Sequence, residues 1–299
     1  MKKITFLIPL VLFAGIVAAQ ENNFLLYSFK GNVSVLENKV ESKARIGQAL
    51  NSDAVLKMGN GSLATLICNE ASLFTLTKAG NYALSKLADS CHVTTASISA
   101  NYIRYVWNQM THSTGSPGSN RKAFMNTVGA VIRSINNIWI DPRLDTVNYC
   151  SGDFPLSWKS YAETEEFEFS LYSNANTTEP AYKNNLKTLR ILISSFISKM
   201  SPGNTYYWTS AVKGEQNEEL KVLNYVTKQT LDAVVNEFKK QGPASEGPAE
   251  QAYRVAFMLE DAHYLSEAYQ YYMKAVTADP NNALYRFTLM SFKKDYEIK

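Results

Sequence analysis

The chain has 299 residues, of which 45% are hydrophobic and 19% are charged, with 30 Lys and Arg against 27 Asp and Glu. This apolar, weakly charged composition excludes an intrinsically disordered protein and is sufficient to build a folded core. The formal net charge of +3 is too small for the basic surface of a nucleic-acid-binding protein. At about 150 residues per domain, the length predicts two domains or three smaller ones.

Residues 1–19 have the pattern of a secretory signal peptide. Lys2 and Lys3 precede an uncharged apolar run over residues 4–17, and small residues follow it. We predict cleavage between Ala19 and Gln20, which leaves 28 basic against 27 acidic side chains and no transmembrane segment in the mature chain. The alternative is a retained membrane anchor, but a run of about 14 residues is shorter than the ~20 that span a bilayer. The mature protein is expected outside the cytoplasm, either in the periplasm, where it would associate with the outer membrane, or in the extracellular space.

Export affects the interpretation of the three cysteines, because disulfides form in oxidising compartments. Cys68, Cys91 and Cys150 lack the C-x-x-C spacing of a zinc or thioredoxin site. Cys68 and Cys91 lie in or beside one β-rich segment, so we predict a disulfide between them that leaves Cys150 free or buried. The alternative is that all three are reduced and buried as small hydrophobic residues.

The segment from residue 25 to 87 has the pattern of short strands separated by turns. Val33 and Val35 alternate with polar residues, and Asn60-Gly61 favours a two-residue hairpin turn before another alternating strand. Short strands at regular spacing predict an all-β domain over residues 20–91.

Turn glycines and core aliphatic residues recur in this segment in a particular order: Gly31, Val33, Val35, Gly47, Leu50, Asp53, Gly59, Ser62, Leu66 and Leu76. Over residues 31–84 this pattern resembles the FecR-type domain, which opens on a Gly-x-Val-x-Val strand. The segment departs from the family at Asn69-Glu70-Ala71-Ser72, where an Asp-Gly-Ser turn is common. FecR-type domains in their best-known setting relay a signal from an outer-membrane transporter to a membrane-bound regulator. Because we predict no membrane helix after the signal peptide, the resemblance favours a protein-binding subunit or accessory factor of an envelope assembly over the relay itself.

Residues 92–150 form a predicted connecting region. One amphipathic helix is expected there, because apolar side chains follow helical spacing at Ile98, Tyr102, Tyr105, Val106 and Met110. The polar stretch 112–120, with Gly-Ser-Pro-Gly at its centre, predicts a flexible loop after the helix.

A second β pattern covers residues 151–215. Pro155 and Trp158 precede a run in which Phe167, Phe169 and Leu171 alternate with polar residues, and Met200, Pro202 and Tyr206 follow later. These motifs resemble an immunoglobulin-like or fibronectin type III-like β-sandwich, in which an early Pro-x-x-Trp packs in the core and a late Tyr lies at a corner. The aliphatic run 186–197 fits a strand or a helix equally well.

The C-terminal segment, residues 216–299, has helical spacing from Glu218 onward. Apolar and small residues recur at Ala252, Val255, Ala256, Leu259, Ala268, Tyr272, Ala275 and Pro280. This pattern resembles a tetratricopeptide (TPR) repeat, a pair of packed helices, although the family usually has Trp at position 252 and Gly at position 256. The resemblance implies one full repeat between two partial ones, and therefore TPR-like α-hairpins.

The TPR resemblance also implies a binding surface. In its register, Glu250, Tyr253, Phe257 and Glu260 line the side of the first helix that forms the concave groove in longer arrays, so we predict a partner-binding groove there. The alternative is that these residues pack against the preceding helix, which ends at Lys240.

Patterns associated with catalysis are weak in this chain. His92, His112 and His263 are far apart, Ser-x-x-Lys at residues 119–122 and 291–294 lacks its companion motifs, and no Gly-x-Ser-x-Gly or phosphate-binding loop occurs. Glu166 and Glu168 alternate with apolar residues, which is typical of the solvated face of a strand. The aromatic residues favour core packing at Trp158 and Trp208. We therefore predict no catalytic, cofactor-binding or metal-binding residues.

Together these patterns predict a multidomain β + α protein that is exported and is not an enzyme. We expect a protein partner in the bacterial cell envelope, such as an outer-membrane protein complex, and neither a cofactor nor nucleic acid. A glycan- or peptidoglycan-binding module that uses exposed aromatic residues is the alternative, and an enzyme without a recognisable motif is a third hypothesis.

Overall fold

The computed structural model describes residues 24–69, 72–88, 100–111, 137–163, 166–176, 178–242 and 246–299. These ranges combine several mainly antiparallel sheets with six α-helices, which confirms the predicted mixture of β and α structure. The predicted signal peptide with its Ala19–Gln20 cleavage site, Cys91, and the loop predicted at 112–120 lie outside the described residues.

The N-terminal β unit, residues 24–88, contains two four-stranded antiparallel sheets. In order of pairing, the first consists of β4 (Ala49–Leu50), β1 (Phe24–Lys30), β6 (Leu63–Cys68) and β7 (Ser72–Leu76), and the second of β3 (Val40–Lys43), β2 (Val33–Glu37), β5 (Val55–Met58) and β8 (Gly80–Ala83). A short helix, α1 (Leu84–Ala88), ends the unit. The predicted hairpin at Asn60-Gly61 is wrong. Gly61 has the positive φ of a turn, but β5 and β6 on either side pair in different sheets.

Strand β1 separates two hydrophobic cores. Phe24 and Leu26 point into the interior of the N-terminal β unit, whereas Leu25 and Tyr27 point to the opposite face and join the core of the rest of the chain. The alternation follows from the period of two in a β-strand, so both faces of this strand are buried. A single apolar run, Phe24 to Tyr27, therefore serves two cores.

The central β unit is built on one five-stranded sheet. Its order is β10 (Thr146–Tyr149), β17 (Lys221–Tyr225), β16 (Asn204–Val212), β13 (Phe167–Tyr172) and β14 (Tyr182–Leu186), and only the β10–β17 pair is parallel. Two smaller antiparallel pairs flank the sheet: β9 (Ile138–Trp139) with β12 (Lys159–Ser160), and β11 (Pro155–Ser157) with β15 (Arg190–Leu192). The sheet thus extends beyond the predicted limits 151–215 on both sides.

Two local expectations in this unit are settled. The run 186–197 is neither one helix nor one strand, since β14 ends at Leu186, β15 follows, and two 3-10 turns lie at Ile193–Ser195 and Ile197–Lys199. Trp158 and Trp208 are buried on either side of Phe169, with ring centres 6.4 and 5.9 Å from its ring, so the prediction that they are core residues is confirmed.

The predicted amphipathic helix in the connecting region is present as α2 (Ala100–Thr111). The C-terminal helical unit has four further helices: α3 (Lys228–Lys240), α4 (Pro248–Asp261), α5 (Leu265–Ala278) and α6 (Ala283–Asp295). The segment just before α3 was expected to be helical but forms β17, because its backbone pairs with β10 on one side and β16 on the other. Ala256, Ala268 and Ala275 are fully buried where α4 and α5 pack, and small side chains permit this close approach.

None of the helices in the described ranges is both long enough and apolar enough to cross a membrane. Helix α2, the central sheet and the helical unit share one hydrophobic core, and the N-terminal β unit has the other. Because α2 belongs to the shared core, it packs against the helical unit and covers part of the surface of that unit.

Candidate functional site

The predicted groove on α4 is filled by the protein itself. Tyr253 and Phe257 are 0% and 1% exposed, and Glu260 is also buried. The ring of Tyr105 in α2 stacks on Phe257 with centres 4.9 Å apart, and the Tyr102 ring meets the same residue edge-on at 5.4 Å. The prediction of an open groove is therefore wrong, since α2 occupies the face that a partner was expected to take.

The alternative, packing against α3, does not account for this burial either. The rings that meet Tyr253 belong to α2, α5 and α6, with Tyr285 closest at 4.6 Å between centres and Tyr272 at 5.7 Å. Glu260 accepts hydrogen bonds from the hydroxyls of Tyr272 at 2.9 Å and Tyr296 at 3.2 Å. Its carboxylate is thus used inside the helical unit.

Three hydroxyl groups close a ring of hydrogen bonds in this core. The Tyr253 hydroxyl donates to that of Tyr105 at 3.2 Å and lies 2.9 Å from the Thr288 hydroxyl, which is 3.3 Å from Tyr105. Each group can donate once and accept once, so all three are satisfied although they are buried. The ring joins α2, α4 and α6 and fixes their relative positions.

An ion pair fixes the start of α4. Arg254 is 0% exposed and makes a two-point contact with Glu246, from Nε to Oε1 at 2.7 Å and from Nη2 to Oε2 at 2.7 Å. The same guanidinium donates to the carbonyl of Phe238 at 2.6 Å at the end of α3. A Cβ at Gly242 would collide with this ion pair. These contacts link the end of α3 to the start of α4.

The candidate site is an open cavity next to the start of α4. The junction crevice, as we call it, has a volume of about 310 Å³. It lies between the N-terminal β unit, the end of α2 and the helical unit, and its walls include Tyr27, Ile46, Met110, Glu250, Asp279 and Tyr285. Ile46 is 50% exposed at its edge. The crevice is a concave surface built from three parts of the chain, a typical location for a binding site.

The junction crevice carries acidic groups on largely apolar walls. Glu250 Oε2 accepts the backbone N–H of Gly247 at 3.0 Å, while Oε1 is buried with no hydrogen-bond partner at acceptable geometry among the described residues. Burial raises the pKa of Glu250, and the Ser28 hydroxyl and the Gly247 N–H offset part of that rise. A buried carboxylate oxygen without a donor carries a free-energy penalty.

Of the predicted groove residues, only Glu250 therefore lies at an open site. Asp279 was not predicted, because it follows α5 and nothing in the repeat register points to it. The sequence did contain one relevant signal. Helix α2 has an apolar face rich in tyrosine and tryptophan, and such a face needs a partner within the chain or outside it.

Cys68 and Cys150 are not among the residues that line the crevice. Cys68 is a fully buried disulfide cysteine at the end of β6. Its predicted partner Cys91 lies outside the described residues, so the pairing stays a prediction. Cys150 is a free thiol, and burial raises its pKa, with the Glu267 carboxylate adding to the rise. A thiol with a raised pKa is a poor nucleophile.

Within the described residues, no three His, Cys, Asp or Glu side chains come together as a metal site. Neither a protein-family model nor a curated protein matches this chain. The junction crevice combines a concave shape, largely apolar walls and a Glu250 oxygen that has no hydrogen-bond partner in the part of the chain that the structure describes.

Proposed function

We propose that this chain is a non-catalytic, exported protein that binds another protein. Its role would be that of an accessory or scaffold subunit of an outer-membrane or periplasmic assembly, or of a signalling complex, in a bacterial cell envelope. The observation that carries the proposal is the junction crevice, an open, largely apolar cavity in which Glu250 Oε1 has no hydrogen-bond partner at acceptable geometry among the described residues. Concave apolar surfaces with a few polar groups are typical of binding sites.

The resemblances in the sequence support the same role. FecR-type domains and TPR repeats both act by binding other proteins, and they resemble residues 31–84 and 248–280. In the central unit the backbone N–H of Ser201 donates to the Tyr206 hydroxyl at 2.8 Å, a contact that suits the corner tyrosine of an immunoglobulin-like sandwich. The secretory signal at residues 1–19 supports export.

The glycan-binding alternative has less support. It depends on exposed aromatic side chains; Trp158 and Trp208 are buried in the central unit, which leaves isolated residues such as Tyr161 and Phe287. Large aromatic rings that are packed in a core cannot stack on a sugar.

Photo-crosslinking in the cells that produce the protein tests the proposal. A photoreactive phenylalanine analogue at position 46, on the edge of the crevice, should give a discrete crosslinked product that mass spectrometry identifies as an exported envelope protein. The same analogue at position 161, where the native Tyr161 is 73% exposed, is the control and should not give that product. Equal products from both positions, or none from position 46, would contradict the proposal.

A further inference from the structure

We infer that the junction crevice receives a lysine or arginine side chain of a partner polypeptide, with an apolar residue next to it. The inference rests on the proposed function and adds the chemistry of the contact. It follows from the charges, hydrogen bonds and shape of the crevice.

Charge complementarity is the first argument. Among the described residues, the crevice is lined by two carboxylates, Glu250 and Asp279, and by no Lys, Arg or His. Tyr27 and Tyr285 add no charge, because burial raises the pKa of both phenols. The nearest ion pair, Arg254 with Glu246, is internally satisfied and Arg254 is fully buried. The described lining of the crevice therefore has acidic groups and no basic side chain, which favours a cation.

The helix ends around the crevice do not reverse this preference. The N-termini of α4 and α6 would attract an anion if their N–H groups were free. At α4 the Gly247 N–H is bound by Glu250, and at α6 the Leu284 N–H donates to Asn282 Oδ1 at 3.1 Å. These capping contacts occupy some of the N–H groups that an anion would use, whereas Glu250 Oε1 has no hydrogen-bond partner among the described residues.

The walls suit the carbon chain of a basic side chain. Phe29, Ile46, Met110 and Leu284 provide apolar surface, while the carboxylates lie at Glu250 and Asp279. Lys and Arg have long apolar stems that pack on such surface while the charged end reaches polar groups. A volume of about 310 Å³ is at the lower end of the range of about 300–1,000 Å³ for ligand pockets, so it holds one or two side chains and no folded element.

Methyl NMR on the full mature protein provides a direct test. The methyl groups of Ile46, Met110, Ala249 and Ala278 report on the crevice. Addition of n-butylguanidinium or n-butylammonium, which mimic the ends of Arg and Lys, should shift these signals in a saturable way. N-butylurea has nearly the same shape without charge and should bind at least about tenfold more weakly, the factor that corresponds to one charge-assisted contact. Equal shifts with the urea, or no shifts with the cations, would overturn the inference.

Variants assign the effect to the carboxylates. Glu250→Gln keeps an oxygen for the Gly247 N–H but removes the charge, and Asp279→Asn removes the second charge. Each should weaken binding of n-butylguanidinium about tenfold. Glu237→Gln is the matched control on exposed surface of α3 and should leave the affinity unchanged. If Glu250→Gln does not fold, the test rests on Asp279→Asn alone. An unchanged affinity of that variant for n-butylguanidinium would overturn the inference.

A peptide pair extends the test to polypeptides. A capped peptide with the sequence Gly-Leu-Lys-Gly should shift the same methyl signals, and the peptide with norleucine in place of Lys should not.

The proposed function and the basic-side-chain inference fail in different ways. If position 46 crosslinks a partner equally in wild type and in both carboxylate variants, the protein binds a partner but the basic side chain is wrong. If no partner is crosslinked, the proposed function fails whatever the titrations show.

Discussion

The hydroxyl oxygens of Tyr253 and Thr288 lie 2.9 Å apart, although the residues belong to different helices of the C-terminal unit. Tyr105 of α2 completes their ring of hydrogen bonds. This contact links a helix from the connecting region to the helical unit 148 residues later in the chain. It explains why the groove expected on α4 is closed.

Tyr253→Phe should destabilise the protein by about 1–3 kcal/mol, because it removes two of the three hydrogen bonds of the buried ring and leaves only the longest one, between Tyr105 and Thr288. The free energy of unfolding in urea measures this loss. Tyr161→Phe removes a hydroxyl from a side chain that is 73% exposed and should change stability by less than about 0.5 kcal/mol. Equal effects of the two substitutions would show that the ring contributes nothing.

Gly242→Ala should cost about 2 kcal/mol or more, because a methyl group at this position collides with the Arg254–Glu246 ion pair. Unfolding in urea again measures the cost. Gly247→Ala in the same loop is the control. Its added Cβ would meet Glu250 at an ordinary 3.5 Å, so it should cost less than about 1 kcal/mol. If Gly242→Ala is as stable as wild type, the Arg254–Glu246 ion pair does not contribute to stability through its observed position.

The stability of the protein should depend on the protonation of Glu267. Burial raises the pKa of this carboxyl, and the N–H groups of Ser151 and Cys150 offset part of the rise. A raised pKa means that the folded state binds the proton more tightly than the unfolded state. The stability from this group is therefore fully present below the unfolded pKa of about 4.3, and is lost as the pH rises through the folded pKa.

Glu267→Gln isolates this contribution. The free energy of unfolding of wild type minus that of the variant should fall as the pH rises from 4 to 8, and urea unfolding across this range measures it. Glu237→Gln provides the baseline for the loss of one carboxylate. A difference that increases with pH would have the wrong sign and would contradict the assignment.

Cys150 should react slowly with iodoacetamide. Burial raises its pKa, and the negative charge of Glu267 raises it further, so at pH 8 less thiolate is present than for an ordinary cysteine with a pKa of about 8.5. Mass spectrometry of the peptide that contains Cys150 measures the rate. Glu267→Gln should accelerate the reaction. A rate in the folded protein equal to that in urea would show that the thiol is not protected.

The predicted Cys68–Cys91 disulfide can be counted directly. In urea without reductant, only Cys150 should react with a thiol reagent, and after reduction all three cysteines should react. Three reactive thiols before reduction would support the alternative that every cysteine is reduced. The experiment needs protein prepared from the exported fraction, because disulfides form outside the cytoplasm.

The sequence predicted those strands and helices in which the local hydrophobic pattern matches the burial of the side chains in the structure. Alternation identified the strands of the N-terminal β unit, and helical spacing identified α2 and the α4–α5 pair. Strand partners were harder to predict, because a turn such as Asn60-Gly61 shows where the chain reverses and not which strands pair. The short run Lys221–Tyr225 became a strand because distant β10 lies beside it.

The candidate site was only partly predictable for the same reason. Glu250 was identified from the repeat register, but the burial of Tyr253 and Phe257 depends on α2, which lies far away in the sequence. Asp279 becomes relevant only because α5 ends beside the N-terminal β unit. Contacts between distant segments determine which charged residues face an open cavity.

The two-sided strand β1 limits how this chain can be divided or recombined. Excision of the N-terminal β unit would uncover Leu25, Tyr27 and Ile67 on one side of the cut and their apolar neighbours on the other. Each fragment would then have an exposed apolar surface and would tend to self-associate. The sequence pattern suggests separate domains. A different N-terminal domain could nevertheless replace this one only if its strand also presented a second apolar face to the core of the rest of the chain.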